Sequence, residues 1–202
     1  MNLKQALKRI ADEFELNADE LYEFALEDKI GGYHPDPRLS KWTIGSIWEV
    51  EGQILYALVR ALKPKNVLEV GSFMGASTSH IAEALLTNGT GKLICVDINH
   101  QMVNGKRYKG IIEQVTSDLF DYKFPARKFD FVYEDANHDV EQVAHVWGQF
   151  KSKGKKNAMI VSHDAMHHVV GKAVREGIEE VTDEYLKLLV QPSDCGLAVW
   201  RK

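Results

Sequence analysis

Residues 67–78 read Val-Leu-Glu-Val-Gly-Ser-Phe-Met-Gly-Ala-Ser-Thr, an apolar run that ends in a glycine-interrupted turn. The pattern predicts a β-strand, then a binding loop of the nucleotide type, then a helix, with Glu69 just before the turn. Gly71 and Gly75 allow the backbone to turn sharply and to approach a ligand closely, while Ser77 presents its hydroxyl and amide near the helix start. The spacing is Glu-x-Gly-x-x-x-Gly, which differs from the Gly-x-Gly-x-x-Gly of dinucleotide-binding enzymes.

A second apolar run, residues 93–99, places Asp97 near its carboxyl end. In open α/β sheets, ligands bind outside the carboxyl ends of the strands, and an acidic residue roughly 20 residues beyond the loop contacts the ribose. The separation of Gly75 and Asp97 fits this arrangement. The two segments together predict a nucleoside ligand, although each taken alone also fits an ordinary turn or a surface carboxylate.

These residues resemble the class I S-adenosylmethionine (SAM)-dependent methyltransferases, and more narrowly the small catechol-type O-methyltransferases. The resemblance implies that SAM is the cofactor, that the loop holds its methionine part and that Asp97 contacts its ribose. A short polar stretch after the third strand is implied at the adenine. By motif position the implied cofactor-binding residues are Glu69, Gly71, Ser72, Phe73, Gly75, Ser77, Asp97, Ile98, Ser117, Asp118 and Asp135.

Composition limits the possible classes of protein. The 202 residues are 45% hydrophobic and 27% charged, with a formal net charge of -4, so one α/β domain with a full core is expected and no global attraction to nucleic acid or anionic membranes. Residues 1–10 are charged throughout, and no apolar run reaches the roughly 18 residues of a membrane span, which predicts a cytoplasmic protein. Cys95 and Cys195 suggest neither a disulfide framework nor a zinc site.

The order of patterns predicts an α/β fold, with a Rossmann-like, doubly wound, seven-stranded and mostly parallel sheet that ends in an antiparallel strand. Residues 1–43 are predicted as a helical N-terminal extension with a substrate loop, and residues 44–202 as the Rossmann-like domain. In the extension, a break near Asn17 separates two helices, and Asn17 with Glu20 fits a capping box. Acidic residues on the second helix argue against DNA binding.

The remaining elements are predicted from periodicity and turn signals. Aromatic residues Tyr33, Trp42 and Trp48 either line a substrate pocket or pack the extension onto the sheet. The predicted elements are a helix over 44–62, strands over 111–115, 129–134 and 159–162, a helix after 138, a long helix over 169–186, and a terminal hairpin formed by 188–192 and 196–200.

The chemistry is predicted at the ends of the fourth and fifth strands. Asp135 follows one strand and His163-Asp164 the other, so all three side chains should meet at one rim, where carboxylates bind a divalent cation. In the catechol-type enzymes that the chain resembles, a magnesium site occupies these positions, which implies Asp135, His163 and Asp164 as metal ligands. His138 falls where those enzymes carry a basic lysine, which implies a catalytic base.

The fifth strand departs from the catechol-type pattern, because His163-Asp164 stands where an Asp-Asn pair is usual. The His-Asp pair looks more like methyltransferases that act on sugar or natural-product hydroxyls, and an imidazole ligand relaxes the preference from magnesium toward manganese, iron or zinc. Alternatively His163 is a base and no metal binds. Asp135 could also be a helix cap, and the histidines could be satisfied by backbone groups.

Three functions remain open. The first is SAM-dependent O-methylation of a small hydroxylated molecule, such as a phenol, a sugar or a natural product, with no nucleic acid or membrane partner and a homodimer left open. A nucleic-acid or protein N-methyltransferase is the second, but base-modifying enzymes carry an Asn/Asp-Pro-Pro-Tyr type of turn, and residues 134–137 read Glu-Asp-Ala-Asn. The third is a non-catalytic SAM-binding protein.

Overall fold

The computed structural model describes residues 1–33, 46–101, 106–124 and 129–202. Helices and strands alternate along most of this part of the chain, as the sequence predicts. The elements are α1 (Leu3–Phe14), α2 (Ala18–Glu27), α3 (Glu49–Leu62), β1 (Asn66–Val70), α4 (Ala76–Asn88), β2 (Lys92–Asp97), β3 (Ile112–Thr116), β4 (Phe131–Glu134), α5 (Val140–Lys153), β5 (Met159–Ser162), α6 (Gly171–Glu179), β6 (Leu186–Leu188) and β7 (Leu197–Arg201).

The seven strands form one sheet in the order β3-β2-β1-β4-β5-β7-β6. The pairs β1–β2, β2–β3, β1–β4 and β4–β5 are parallel, whereas β7 runs antiparallel to both β5 and β6. The predicted fold class is therefore confirmed. The strand order reverses at β1, between β2 and β4, and open α/β sheets bind ligands at the carboxyl ends of such strands.

Alternating side chains on each strand supply two cores, one on each face of the sheet. On β1, Val67 belongs to the core under α1 to α4, while Leu68 belongs to the core under α5 and α6. Leu7 of α1 and Leu21 of α2 are fully buried in the first of these cores. The N-terminal helices thus pack against the same face of the sheet as α3 and α4.

The two predicted N-terminal helices are present, and the Asn17 side chain accepts hydrogen bonds from the N–H groups of Asp19 (3.0 Å) and Glu20 (3.1 Å). The proposed boundary at residue 43 lies outside the described residues, as do Trp42 and most of the predicted substrate loop. Tyr33 and Trp48 pack edge to face with ring centroids 5.1 Å apart. Their mutual contact fits the packing role for these two aromatics.

One predicted helix was wrong in extent. The helix expected over 169–186 is shorter: α6 spans Gly171–Glu179, and in the turn that follows the N–H groups of Val181 and Thr182 share the carbonyl of Ile178. Leu186 then enters the sheet opposite Val199 of β7. Tertiary pairing with β7 outweighs the apolar spacing that suggested a continuous helix.

Two smaller boundaries also shift. The helix expected from residue 44 begins at Glu49, after Trp48. The first strand of the terminal hairpin lies over Leu186–Leu188 instead of 188–192. None of the helices in the described ranges is both long and apolar enough to cross a bilayer.

Candidate active site

A cleft of about 730 Å³ opens at the carboxyl ends of the central strands. Residues that follow β1, β2, β3 and β4 line it, together with Ser46, Ile47, Gln142 and Asp164. Small-molecule and cofactor sites usually have volumes of roughly 300 to 1,000 Å³. The cleft therefore lies at the predicted place in the sheet and has the size of a cofactor site with room for a second ligand.

The loop after β1 depends on a glycine at its first position. Gly71 has φ +81°, and a Cβ at this position would overlap the carbonyl oxygen of Asp135. Gly75, with φ +83°, begins α4 and does not itself line the cleft, while Ser72, Phe73 and Ser77 do. Glycine at position 71 thus lets the loop after β1 lie directly against the turn after β4.

Glu69 lies beneath this loop and is fully buried, so it supports the loop and is not part of the cleft wall. Its carboxylate accepts hydrogen bonds from Ser77 Oγ (2.7 Å), Thr78 Oγ1 (2.6 Å) and Cys95 Sγ (3.1 Å). Burial raises the pKa of Glu69 to about 7, although the hydroxyl hydrogen bonds oppose the rise. The buried carboxyl ties the start of α4 to β1 and β2.

Asp97 reaches the loop from the end of β2. Its Oδ2 accepts hydrogen bonds from the N–H groups of Ser72 (2.7 Å) and Phe73 (3.0 Å), and its Oδ1 accepts one from Asn99 N–H (2.8 Å). Partial burial disfavours its charge, but the three backbone donors outweigh burial and hold the pKa of Asp97 below its usual value. Asp97 is thus an ionised carboxylate at the wall of the cleft.

The other residues predicted at the nucleoside are close by. Ser117 and Asp118 follow β3 and line the cleft next to Asp97. Ile98 also lines it with 73% of its surface exposed, and Phe73 is 43% exposed. Exposed apolar side chains at a cleft provide a surface on which a flat ring can pack.

Four side chains cluster where the ends of β4 and β5 meet. His138 Nε2 lies 3.1 Å from Asp135 Oδ1 and 3.1 Å from Asp164 Oδ2. His163 Nδ1 lies 3.2 Å from Asp135 Oδ1 and 3.4 Å from Asp164 Oδ2. One ligand atom from each of the four residues lies within 4.8 Å of all the others, so the cluster joins all three predicted metal ligands and the predicted base.

The charges of this cluster favour one another. Burial disfavours ionisation of Asp135, but His163 and His138 outweigh it and hold the pKa of Asp135 well below its usual range. In the same way, burial disfavours the charged ring of His163, but Tyr133 and the carboxylates of Asp135 and Glu51 raise its pKa well above the usual value. The pKa of His138 is also raised, since Asp135 and Asp164 outweigh the effect of burial. Such perturbed groups at the edge of a cleft are typical of functional sites.

Two members of the cluster have unusual backbones. His138 has φ +56° and Asp164 has φ +55°. Left-handed conformations are uncommon for residues other than glycine and cost free energy, so they persist where the surroundings fix them, which is often at functional sites. The turns after β4 and β5 both hold a side chain of the cluster in this way.

Two alternative interpretations of the cluster do not hold. The N-cap of α5 is Asp139, whose side chain accepts from Gln142 N–H, so Asp135 is not the cap. The Oδ2 atom of Asp135 instead accepts a hydrogen bond from the Tyr133 hydroxyl at 3.1 Å. A backbone role does fit His167, whose Nδ1 accepts from Val169 N–H at 3.3 Å, but His163 bonds to carboxylates.

The sequence did not reveal Glu51. This residue of α3 is fully buried, and its Oε2 lies 2.9 Å from Nε2 of His163. No local pattern pointed to it, because a single glutamate within a helix normally lies on the solvated face, and its partners are more than 100 residues away in the chain. The only available signal was its place among apolar residues of a largely buried helix.

Comparisons with known proteins relate the chain to methyltransferases. A family profile described as a methyltransferase domain matches residues 68–165. The chain is 29% identical, over 147 residues, to a caffeoyl-CoA O-methyltransferase from Eucalyptus gunnii, an alignment that covers 61% of this chain and 57% of that protein. The chain thus spans less than three fifths of the length of this relative.

Solved structures share the fold. An O-methyltransferase from Bacillus cereus in complex with SAH superposes with a TM-score of 0.62 at 16% identity, covering 96% of each chain. The O-methyltransferase TomG from Streptomyces achromogenes, in complex with SAM, gives a TM-score of 0.62 at 19% identity, covering 93% of this chain and 96% of TomG. The matched domain, the related sequences and the shared fold support a class I SAM-dependent methyltransferase that is similar to O-methyltransferases.

Proposed function

We propose that the protein transfers a methyl group from SAM to a hydroxyl group of a small molecule with the assistance of a divalent cation. The observation that carries this proposal is the cluster of Asp135, His138, His163 and Asp164 at the edge of the cleft formed by the loop after β1. Methyl transfer from a sulfonium is an in-line displacement, so the acceptor oxygen must be held behind the methyl group and made nucleophilic.

The part of the cleft beside α4 fits the amino-acid end of SAM. Ala76 and Ser77, in the first turn of α4, line the cleft, and no side chain among the described residues caps this helix. The first N–H groups of a helix and its dipole favour a carboxylate. We therefore assign the methionine carboxylate of SAM to the start of α4.

The nucleoside end fits the region around Asp97. Among the described residues, its Oδ1 accepts one hydrogen bond, from Asn99, which leaves it capacity for a ribose hydroxyl. In the cleft wall, Ile98 and Phe73 offer exposed apolar surface. Ser117 and Asp118 offer polar groups for the adenine. SAM, when bound, supplies the electrophilic methyl group.

The cluster fits a divalent cation. Two carboxylates and an imidazole nitrogen converge, and the other nitrogen of that imidazole, in His163, is held by the buried Glu51. A ligating histidine typically donates its second N–H to a carboxylate in this way. Asp135, His163 and Asp164 would hold the ion, which lowers the pKa of an acceptor hydroxyl, and the mixed N/O set suits manganese, iron or zinc as well as magnesium.

His138 is the residue best placed to take the proton of the acceptor. It lines the cleft, whereas His163 is only 4% exposed and is not part of the cleft wall. An acceptor in the cleft would therefore lie beside His138, whose Nε2 adjoins Asp135 and Asp164. Asp135 and Asp164 raise the pKa of His138, and a cation that compensates their negative charge would favour the neutral ring, which can act as a base.

The acceptor we propose is a phenol, sugar or natural product with a free hydroxyl. The relationship to caffeoyl-CoA O-methyltransferases favours a phenolic acceptor as the first probe. The alternative of a SAM-binding protein without activity predicts the same cleft but gives no reason for the cluster of two carboxylates and two imidazoles beside it. The N-methyltransferase alternative is less supported, because the turn after β4 presents Asp135 and Asn137 without the proline-tyrosine pair.

The proposal is tested by isothermal titration of the purified protein with SAM and SAH, with and without Mg²⁺ or Mn²⁺. We expect micromolar binding that Asp97→Ala abolishes and a metal response that Asp135→Ala abolishes. Each variant serves as the control for the other, because each removes one proposed contact. Caffeoyl-CoA and catechol are then incubated with SAM, and methylated product is sought by mass spectrometry.

The outcomes separate the candidate functions. Cofactor binding with no metal response would leave a metal-free transferase in which His138 acts alone. Cofactor binding without methyl transfer to any hydroxyl probe would favour the non-catalytic SAM-binding protein. A protein that binds neither SAM nor SAH would contradict the proposed function altogether.

A further inference from the structure

Glu51 is a fully buried carboxylate on α3 whose hydrogen-bond partners in the described part of the chain lie more than 100 residues further along the sequence. It joins His163 after β5 to the turn between β6 and β7, through Ser193 and Gly196. We propose that Glu51 is the positioning residue of the metal site, fixing the ring of His163 so that Nδ1 faces the ion. This inference rests on the metal site of the proposed function.

The ring of His163 has its two nitrogens in different surroundings. Nε2 lies 2.9 Å from Glu51 Oε2, while Nδ1 faces Asp135 Oδ1 at 3.2 Å and Asp164 Oδ2 at 3.4 Å. Carboxylates can only accept, so both ring nitrogens face acceptors when no ion is bound. An ion held by Asp135 and Asp164 would take the place of the proton on Nδ1, and the remaining ring proton stays on Nε2 against Glu51. The lone pair is then on Nδ1, the nitrogen that points at the two other proposed ligands.

Glu51 itself is held in one orientation. Its Oε1 accepts from Ser193 Oγ at 2.7 Å and from Gly196 N–H at 2.9 Å. Gly196 has φ +71°, and a Cβ there would press on the carbonyl of Leu188 and on Met166, so the close approach of this N–H requires glycine. The two donors leave Oε2 for His163 alone among the described hydrogen bonds.

A purely structural buried ion pair would also place Glu51 beside His163. The two roles predict different results when the carboxylate becomes an amide. In Glu51→Gln, the Gly196 N–H keeps the amide oxygen toward the turn, since the amide NH₂ cannot accept from it. The NH₂ then faces Nε2 of His163, which must accept, and the ring proton moves to Nδ1.

The experiment is a titration of the wild-type protein and Glu51→Gln with Mn²⁺ and with Zn²⁺, without cofactor or acceptor. We expect Glu51→Gln to lose about 10- to 100-fold in metal affinity, the usual cost of losing an outer partner of a ligating histidine. Ser193→Ala is the matched control, because it removes one hydrogen bond to Glu51 and leaves the contact with His163. It should retain most of the affinity, and thermal unfolding of the metal-free proteins reports any loss of structure.

The results separate this inference from the proposed function. A wild-type protein that binds neither ion would overturn the metal site itself. If the wild type binds and Glu51→Gln binds equally well, or if Ser193→Ala loses as much as Glu51→Gln, the positioning role is wrong while the site stands. Nitrogen-15 NMR of His163 in the Zn²⁺-loaded wild type needs no variant: coordination through Nε2 instead of Nδ1 would also refute the proposal.

Discussion

Gly71 is the residue at which two parts of the site come into contact, because its missing side chain leaves room for the backbone of Asp135. The same few atoms therefore join the loop after β1, which we assign to the cofactor, to the first proposed metal ligand. A residue with a Cβ would have to move one of these two elements away from the other. The cofactor and the metal site would be affected together.

We predict that Gly71→Ala destabilises the protein and abolishes SAM binding. The backbone strain alone costs on the order of 1–3 kcal/mol, and the overlap with Asp135 adds to it. Gly89→Ala is the matched control, since Gly89 has φ +66° but nothing within 4 Å of the added Cβ. Urea unfolding and SAM titration of both variants check this, and equal effects of the two would contradict the role of the Asp135 contact.

Glu69 makes the stability of the protein depend on pH. Its pKa is raised from 4.5 to about 7 in the folded protein, so the stability that its protonated form contributes is complete below about pH 4.5 and is lost as the pH rises through 7. Glu69→Gln removes this titration. The stability of the variant relative to the wild type should therefore increase as the pH rises from 4.5 to 7, by about 3 kcal/mol in total. Unfolding curves of the two proteins that stay parallel from pH 4.5 to 8 would rule this out.

Individual residues differ in how far the sequence revealed them. Asp97 and Asp135 were predictable because a carboxylate at the end of a buried strand has few reasons to be there other than a ligand or a cap. Glu51 was not, because its role is defined by His163, Ser193 and Gly196, and contacts over such separations leave no local pattern. Glu69 was expected at the cofactor, but it lies under the loop because its carboxylate bonds to the hydroxyls of Ser77 and Thr78 at the start of α4.

At the scale of elements, short loops carry the site while the helices that come after them hold the loops in place. The turn between β4 and α5 bears Asp135 and His138, and it ends at Asp139, which caps α5. Asp139 Oδ2 also accepts from the side chain of Asn137, a residue of the cleft wall. The cap of α5 is thus part of the structure that orients the cluster.

We predict that two equivalent cap deletions have different functional effects. Asn17→Ala and Asp139→Ala should each cost about 1 kcal/mol of stability, since each removes the side-chain acceptor at a helix start. Only Asp139→Ala should also weaken Mn²⁺ binding, because only its cap adjoins His138. Urea unfolding with metal titration measures both effects, and a loss of metal affinity in Asn17→Ala would show that general destabilisation is responsible.

The elements themselves were largely predictable, because the parallel strands β1, β2, β4 and β5 are short, mostly apolar runs bounded by turn residues. The exception is the region after residue 179. Leu186 with Leu189 and Val190 fits a helical spacing, whereas Leu186 with Leu188 fits a strand, and only the partner strand β7 decides between the two. Short apolar segments at the edge of a sheet have this ambiguity in any single sequence.

At the scale of the whole molecule, the fold gathers residues as far apart as Glu51 and Gly196 at the carboxyl ends of the central strands. The parallel pairs β1–β2 and β4–β5 were predictable from the helices α4 and α5 between their strands, since parallel neighbours need a crossover connection that is usually a helix. The packing of α1 and α2 on the sheet was not predictable, because their apolar faces do not specify which surface they cover. A ligand bound at this edge contacts the ends of several strands and should stabilise the molecule as a unit.

We predict that SAH at 100 times its Kd stabilises the folded protein by about 2.7 kcal/mol. For a chain of this size, the expected rise in Tm is about 5–10 °C. Asp97→Ala should show no rise at the same SAH concentration, although its own Tm need not equal that of the wild type. Differential scanning calorimetry checks this, and an equal rise in the variant would contradict the assignment of Asp97 to the ribose.

The hydrogen bonds of Glu51 also have a consequence for biosynthesis. Its carboxylate emerges early from the ribosome, but Ser193 and Gly196 emerge 142 and 145 residues later. Until those residues are made, docking of α3 would bury the Glu51 carboxylate without two of its hydrogen-bond donors. Burying a carboxylate that lacks its donors costs free energy. A nascent chain that ends before residue 193 should therefore keep α3 loosely attached and open to protease, and this region should close only when the last strand is added.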